Sequence, residues 1–316
     1  MGLLSRLFLR QPLAGQDDPA LDQALERTAL RIHAKLKDTR HWPGRYRASI
    51  AAALAQARHV AQGIPGPVHL DREDWIKDPF VHALFANAEA MQRAISASPT
   101  LRDFVAARGG TEVHALLSLK RDTRRGFGME TSGEVLRRDV PQSVVWFSDP
   151  HFIGPAATEA EARENLLWAL FDRFLERLEV GIERIRAERD RLTQDRDAAQ
   201  ARLRGAPPER RPGLVTALNG VLKQLGQSAE CLDPEHLYEV FDIVLSHPED
   251  CLYLEQQPLA LDALGVVQNE SDAATVLNFV DLMERYQSPL CVVLARCRDV
   301  TPSSVTQRLG EAGHWL

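Results

Sequence analysis

The sequence predicts an α+β protein, in which a helical N-terminal region precedes an antiparallel or mixed β-sheet formed around a long inserted coiled-coil helix. Apolar residues recur every three or four positions up to about residue 110, alternate with polar residues from Glu112, and recur at heptad intervals from Thr158 to Arg204. We divide the chain into an amphipathic segment and loop (1–16), a helical region (17–110), a β-meander (111–156), a coiled-coil arm with its return helix (157–230), an α/β segment that completes the sheet (231–300) and a tail (301–316).

The composition is that of a globular protein, and it argues against a nucleic-acid-binding surface and a membrane-spanning segment. Of 316 residues, 44% are hydrophobic and 26% are charged, and the net charge of −6 argues against a surface built for nucleic acid. Cys291 and Cys297 lie six apart in a predicted strand, so we expect two buried free thiols on one face. We expect no cofactor. No apolar run is long enough to span a membrane, and the opening residues are too short for a signal peptide, so we expect a cytoplasmic protein.

The N-terminal region is predicted to be helical throughout. Asp18 and Pro19 have the pattern of an N-cap followed by proline in the first turn, and Asp78 and Pro79 repeat it. The first helix carries one apolar stripe, and a second runs from about residue 45 to 62. A third begins at Pro79 and continues to Ile95, and a short fourth stops at the glycine pair 109–110.

Two groups of strands are predicted, one on each side of the long helix. The segments "EVHALLSLK", "GFGME", "GEVLRR" and "SVVWFS", separated by charged or glycine-containing turns, predict a meander of three or four strands. Later strands are predicted at "CLYLE", "LALDALGVV" and "PLCVVLARC", with a helix from about Asp272 to Tyr286 before the last. We expect both groups to share one sheet, because each has strand edges that the other can cover.

The long helix carries the strongest pattern in the sequence. Its apolar residues are spaced three and four apart, and the predicted partner-binding seam consists of Phe171, Leu175, Leu178, Ile182, Ile185 and Leu192. Arg189 and Arg196 occupy seam positions beyond Ile185, where apolar residues are the rule. A helix of this length spans roughly 70 Å at 1.5 Å per residue, so part of it should project from a compact domain.

Three packing arrangements of this helix remain open. It can pair with a second chain, or it can lie on the surface with its first half packed on its own domain. It can also pair with the helix that follows the turn "GAPPERRPG", in which Leu214, Leu218, Val221 and Leu225 are in register. That returning helix is shorter than the outgoing one. We favour coiled-coil pairing with a partner.

The segment "SVVWFSDPH" (143–151) is an apolar strand that ends in Ser-Asp-x-His. It resembles the first metal motif of calcineurin-like metallophosphoesterases, and the resemblance implies that Asp149 and His151 would bind one of two metal ions. The Gly-Asp, Gly-Asn-His and Gly-His-x-His segments of those enzymes do not follow in this chain. The residues also fit a turn formed by Asp149 and Pro150 after a buried strand.

Two further clusters are candidate contact sites. The predicted meander is locally basic, and its cations could face a phosphate-rich partner, although interleaved acidic residues favour ordinary solvated turns. The basic residues are Lys120, Arg121, Arg124, Arg125, Arg137 and Arg138. As a helix, "GLLSRLFLR" would place Leu3, Leu4, Leu7 and Phe8 on one side, where they could contact an anionic membrane surface or pack against protein.

These features favour a non-enzymatic coiled-coil scaffold or adaptor that mediates protein–protein association through the long helix. Its partner would be a second copy or another protein, with the inner face of the membrane as a second contact and nucleic acid disfavoured. The alternative is a metal-dependent, phosphoesterase-like hydrolase that uses Asp149 and His151.

Overall fold

The computed structural model of the chain describes residues 18–132, 135–262, 265–268, 275–285 and 287–301, with the backbone alone at 128–132, 135–138 and 275. The helices are α1 (Pro19–Ile32), α2 (Arg47–Gly63), α3 (Arg72–Lys77), α4 (Pro79–Leu84), α5 (Ala88–Ala97), α6 (Pro99–Arg108), α7 (Glu159–Arg204), α8 (Arg211–Cys231) and α9 (Leu237–Val244). The strands are β1 (Val68–Leu70), β2 (Val113–Ser132), β3 (Val135–Ala156), β4 (Leu252–Leu261), β5 (Thr275–Glu284) and β6 (Leu290–Cys297). The predicted α+β class with a long helix is confirmed.

The described residues fall into two compact units. Unit 1 comprises residues 18–56 and 171–248, and unit 2 comprises residues 57–170 and 249–301. None of the described helices is both long enough and apolar enough to cross a bilayer.

The strands of unit 2 form one sheet in the order β3-β2-β6-β5-β4, and β1 also pairs with β6. Neighbours in that order are antiparallel, whereas β1 is parallel to β6. β6 pairs with β2 over Val113–Leu119 and with β5 at Asp281 and Leu282. The strands before and after the long helix therefore share one sheet, as predicted.

Residues 265–267 connect the two outer strands of this sheet. The Val145 N–H donates to the Gly265 carbonyl at 2.9 Å, and the Val267 N–H donates to the Ser143 carbonyl at 2.8 Å. Val267 also bridges to Leu261 at the end of β4. Gly265 has a φ of +74°, and a Cβ there would lie 2.7 Å from the Val145 carbonyl oxygen, so this approach requires glycine.

Two sequence predictions about the sheet are wrong. The meander is a hairpin of two long strands, because irregularities such as those at Ser118/Lys120 and Gly128/Met129 are absorbed as bulges within one ladder. Within the helix predicted from Asp272 to Tyr286, residues Thr275–Glu284 instead form β5 and pair one-to-one with β4. Pairing with a neighbouring strand overrides the local helical pattern there.

Helix starts follow the capping pattern more closely than helix lengths do. The Asp18 carboxylate accepts from the Ala20 N–H at 3.0 Å, and that of Asp78 accepts from the Phe80 N–H at 2.8 Å, as predicted. The helix expected to run from Pro79 to Ile95 is interrupted, because Asn87 caps a new helix through the Ala90 N–H at 2.7 Å.

One face of the sheet packs against the short helices α3–α6. Alternate residues of β2 and β6 point to this face and join the helices in one buried cluster, which includes Val113, Ala115, Leu117, Leu119, Cys291, Val293, Ala295, Cys297, Val81, Leu84, Met91, Ile95, Leu101 and Val105. At the start of α7, the Arg163 guanidinium donates to the carbonyls of Ala61, Ile64 and Gly66 at 3.1–3.2 Å. The guanidinium thereby provides hydrogen-bond donors for carbonyls in the last turn of α2 and in the residues that follow it.

Candidate functional site

The first half of the predicted seam is buried within unit 1. Phe171, Leu175, Leu178 and Ile182 are each 5% exposed or less. The neighbouring helix is α1, since Arg27 forms a bidentate pair with Asp172 (2.6 and 2.7 Å) and Arg31 forms another with Glu179 (2.9 and 3.0 Å). The expectation that these four side chains meet a second chain is therefore corrected, because the same chain already covers them.

Helix α9 also closes on this part of α7. A Cβ at Gly181 would lie 3.1 Å from Val244 Cγ2, so the absent side chain permits a close approach of the two helices. The buried Tyr46 ring meets Phe241 edge to face at 5.0 Å, and its hydroxyl donates to the Pro234 carbonyl at 3.0 Å. These contacts complete the core of unit 1.

Beyond Ile182 the long helix continues into a helical hairpin, which we define as residues 185–204 of α7 together with α8. A turn at 205–210 separates the two helices, and the Arg211 guanidinium donates to the Ala206 carbonyl at 3.0 Å. Leu232, just after α8, lines a cavity of about 270 Å³ with Arg189 and Asp190 of α7. Since both ends of α8 lie beside α7, α8 runs back along it within the same chain.

The least exposed residues of each arm form one stripe. On α7 they include Ile185, which is half-buried, and Leu192, which is 3% exposed. On α8 the half-buried large side chains are Leu214, Leu218, Val221 and Leu225, spaced by three or four. We infer that these stripes face each other, so the last part of the predicted seam pairs in cis.

Helix α8 is apolar yet uncovered. Its 21 residues include six large aliphatic side chains and only three charged ones, and none of its residues is buried. Val215 and Leu222, seven residues apart, are 42% and 43% exposed on the flank of the half-buried stripe. Sequence reasoning missed this flank, although the scarcity of charge on α8 was a usable signal.

The outgoing arm of the hairpin has a different surface. Arg186 pairs with Glu183, and Arg191 pairs with both Glu188 and Asp195, at distances of 2.5–3.1 Å within α7 itself. Such pairs between residues three or four apart are typical of a solvated helix face. The exposed large apolar side chains of the hairpin therefore lie on α8.

The Asp149 and His151 segment is a bulge within β3 and not the end of a strand. Ser118 pairs with His151 and Lys120 with Ser148, so Asp149 and Pro150 lie together opposite Leu119. Asp149 has a φ of +51°, in the left-handed region that Asp tolerates better than most residues. The strand then continues to Ala156, so the turn expected after a strand is wrong as well.

Each of these two side chains has a partner. The Lys120 ammonium donates to the Asp149 carboxylate at 2.6 Å and lowers the pKa of that carboxyl. His151 Nδ1 lies 2.8 Å from the Asp149 carbonyl oxygen. Within the described residues no three His, Cys, Asp or Glu side chains come close enough to hold a metal ion, so the two proposed ligands gain no third.

The four basic residues of the β2–β3 hairpin whose side chains the structure describes do not form one patch. Arg121 is part of a buried ion pair with Asp281 at 2.6 Å, and Lys120 is paired with Asp149. Arg124 and Arg125 are exposed, and as neighbours in a strand they point to opposite faces. The side chains of Arg137 and Arg138 lie outside what the structure describes.

The predicted burial of two thiols is confirmed, since Cys291 and Cys297 are free and 0% exposed. Burial raises the pKa of each to about 12, so neither thiol ionises near neutral pH.

The predicted membrane contact through Leu3, Leu4, Leu7 and Phe8 falls outside the described residues and stays a prediction. Deletion of residues 2–10 should abolish sedimentation with anionic vesicles, whereas the idea fails if the full chain does not sediment.

Comparison of the chain with known protein families, curated proteins and solved structures finds no match.

Proposed function

We propose that this protein is a non-enzymatic association protein that acts through its helical hairpin. The observation that carries the proposal is α8, which has six large aliphatic side chains and no buried residue. A helix with so few charges is poorly suited to permanent contact with water. A partner that covers Val215 and Leu222 would remove that exposed apolar surface at a favourable free energy.

We infer that the partner is a second copy of this chain. Two hairpins that meet through their α8 flanks would form a four-helix bundle, an arrangement in which the same patch serves both subunits. The exposed flank repeats after seven residues, which is the spacing of coiled-coil contacts. Anionic lipid is disfavoured as the occupant, because Arg211 and Lys223 are the only cations on α8.

Light scattering of the full chain tests this proposal. We expect a mass of twice 35.3 kDa for the native protein and a mass of 35.3 kDa for Val215→Glu/Leu222→Glu. The association should change little between low and high salt, because it depends on apolar contacts. Circular dichroism should show unchanged helix content in the variant.

A matched double variant controls for the added charge. Thr216 and Gln227 are exposed residues of α8 away from the Val215–Leu222 flank, so Thr216→Glu/Gln227→Glu should remain dimeric. A native protein that stays at 35.3 kDa at high concentration would contradict self-association. Equal dissociation by both double variants would contradict the assignment of the flank.

A further inference from the structure

Unit 2 contains a cavity of about 560 Å³ between α4 and β3. The helix side contributes Leu84 and the adjoining Phe85, and the sheet side contributes Val145 and Phe147. Leu261 and Leu277, from β4 and β5, add to the apolar lining. These residues come from four separate parts of the sequence, and the β3 section of the wall is held in place by its hydrogen bond to Gly265.

The cavity combines a buried apolar wall with an exposed apolar rim. Leu84, Phe85, Val145 and Leu261 are each 6% exposed or less, so the wall is part of the core. Ile76 and Trp146, which also line the cavity, are 71% and 43% exposed. A concave apolar site with an open mouth and a volume of about 300–1,000 Å³ is the usual form of a small-molecule site.

Only two titratable side chains line the cavity among the described residues, and they limit the charge of a ligand. Asp262 has both carboxylate oxygens engaged in its own turn, by the Val266 N–H at 2.9 Å and the Gln268 side chain at 3.1 Å. The His82 ring stacks on Trp75 at 4.4 Å, and neither of its nitrogens has a hydrogen-bond partner among the described residues. No lysine or arginine is among the described lining residues, and the one charged side chain that an anion would meet among them is the negative Asp262.

We propose that this cavity binds an uncharged aromatic or alicyclic small molecule, with one polar group that hydrogen-bonds to His82. The apolar wall supplies most of the affinity through the area it removes from water. The stacked His82 ring supplies orientation, because a preformed partner for one polar atom discriminates against ligands that lack it. This site is separate in sequence and composition from the hairpin proposed to mediate association.

Fluorescence titration of the full chain with Nile red, an uncharged dye, tests the site directly. We expect one saturable site per chain, and weaker binding by tenfold or more for the anionic dye anilinonaphthalene sulfonate. Ala83 lines the cavity, so Ala83→Trp should fill it and weaken Nile red binding at least tenfold without lowering the melting temperature. Val215→Glu/Leu222→Glu should bind the dye as the native chain does.

The role of His82 is tested by two ligands that differ by one hydroxyl group. Displacement of the dye should be about three- to tenfold more effective with 2-naphthol than with naphthalene, the ratio expected for one neutral hydrogen bond. His82→Phe should remove this preference and leave naphthalene unaffected. A preference that survives in His82→Phe would overturn the assignment of the polar partner.

Three results would overturn the cavity as the site: no saturable dye binding, unchanged binding in Ala83→Trp, or loss of binding in the hairpin variant alone. Tighter binding of the anionic dye would overturn the ligand class. If Ala83→Trp fails to fold, Ala86→Trp replaces it, because Ala86 is an exposed residue in the cavity lining and tryptophan there obstructs the mouth without overpacking the core.

Discussion

Arg121 and Asp281 show how burial of an ion pair decides whether the pKa of its carboxyl is raised or lowered. The Asp281 side chain is 3% exposed, and one of its oxygens accepts from Arg121 at 2.6 Å while the other has no hydrogen-bond partner. Burial raises the pKa of Asp281, and the opposing effect of Arg121 is smaller. One residue earlier, the Lys120–Asp149 pair is more than half exposed, and the Asp149 pKa is lowered.

Removal of Arg121 should therefore be costly and pH-dependent. Arg121→Met leaves the Asp281 carboxylate buried without its counter-charge, and we expect a loss of about 3 kcal/mol in the free energy of unfolding at pH 7. A carboxyl whose folded pKa is raised favours folding below its unfolded pKa and loses that contribution as the pH rises through the folded pKa. The cost of Arg121→Met should thus be smaller at pH 4 than at pH 7, as measured by urea denaturation.

The adjacent cation provides the comparison. Lys120→Met removes an exposed partner, so it should leave the stability at pH 7 nearly unchanged. Equal costs for Lys120→Met and Arg121→Met, or a cost of Arg121→Met that does not vary with pH, would show that burial of Asp281 does not govern this pair.

At the scale of elements, one glycine inside α7 and one inside α8 differ in what lies against them. Gly181 of α7 packs against Val244, whereas a Cβ at Gly220 of α8 would meet no atom within 4 Å. Both glycines lie inside helices and carry the same intrinsic penalty relative to alanine. The atoms around each glycine decide whether substitution by alanine stabilises the helix by the full amount of this penalty.

Gly220→Ala should raise the free energy of unfolding by about 1 kcal/mol, because it improves helix propensity without a clash. Gly181→Ala should give a smaller gain or a loss, because its Cβ must displace Val244 Cγ2 from 3.1 Å. The difference should shrink in a Val244→Ala background, and chemical denaturation of the two parent proteins and the four glycine variants would measure it. A full gain for Gly181→Ala in the native background would contradict the close approach of α7 and α9.

At the scale of the whole chain, the sheet joins segments that are more than a hundred residues apart in sequence. β6 lies inside the sheet, with Val293 and Ala295 fully buried and paired to β2. β4 is an outer strand. The Ala260 carbonyl and the Asp262 N–H form hydrogen bonds with Gln268 and Val266, on the side of β4 away from β5. Because backbone groups of alternate residues point to the same side of a strand, the Gln256 N–H and the Pro258 nitrogen also lie on that outer edge. Proline is tolerated there because none of the described strands pairs with that edge and needs the missing N–H.

Hydrogen exchange should report this difference. The amides of Val293 and Ala295 should exchange only on global unfolding, and the Gln256 amide should exchange about a thousandfold faster or more. Comparable protection at Gln256 would show that a further strand, from this chain or a second copy, covers the β4 edge.

The parts of this fold that the sequence predicts are those with a local physical cause. Asp18 and Asp78 mark helix starts because a carboxylate caps the first N–H groups wherever it stands before a helical segment. The α+β class follows from the change of apolar period. β5 was missed because the pattern of Thr275–Glu284 fits either state locally, and only the pairing with β4 decides between them.

For a similar reason, the sequence predicted which residues of α7 form the apolar seam but not which element covers them. The heptad spacing identified the apolar seam of α7, but spacing alone does not tell whether α1, α8 or another chain covers it. Arg27 and Arg31 pair with residues of α7 that lie more than a hundred positions later in the sequence, so no local pattern could predict these ion pairs. The cavity near His82 is assembled from four distant segments and leaves no motif at all.

The position of β6 has a consequence for biosynthesis. This strand supplies the inner partner of β2, yet it is the last of the described strands that a ribosome makes. The segment from residue 157 to residue 289 must therefore be translated after β3 before β6 can pair with β2, and until then that edge of β2 lacks its partner strand. Nascent chains stopped before Leu290 should consequently be clients of holding chaperones, and chains released after Cys297 should not.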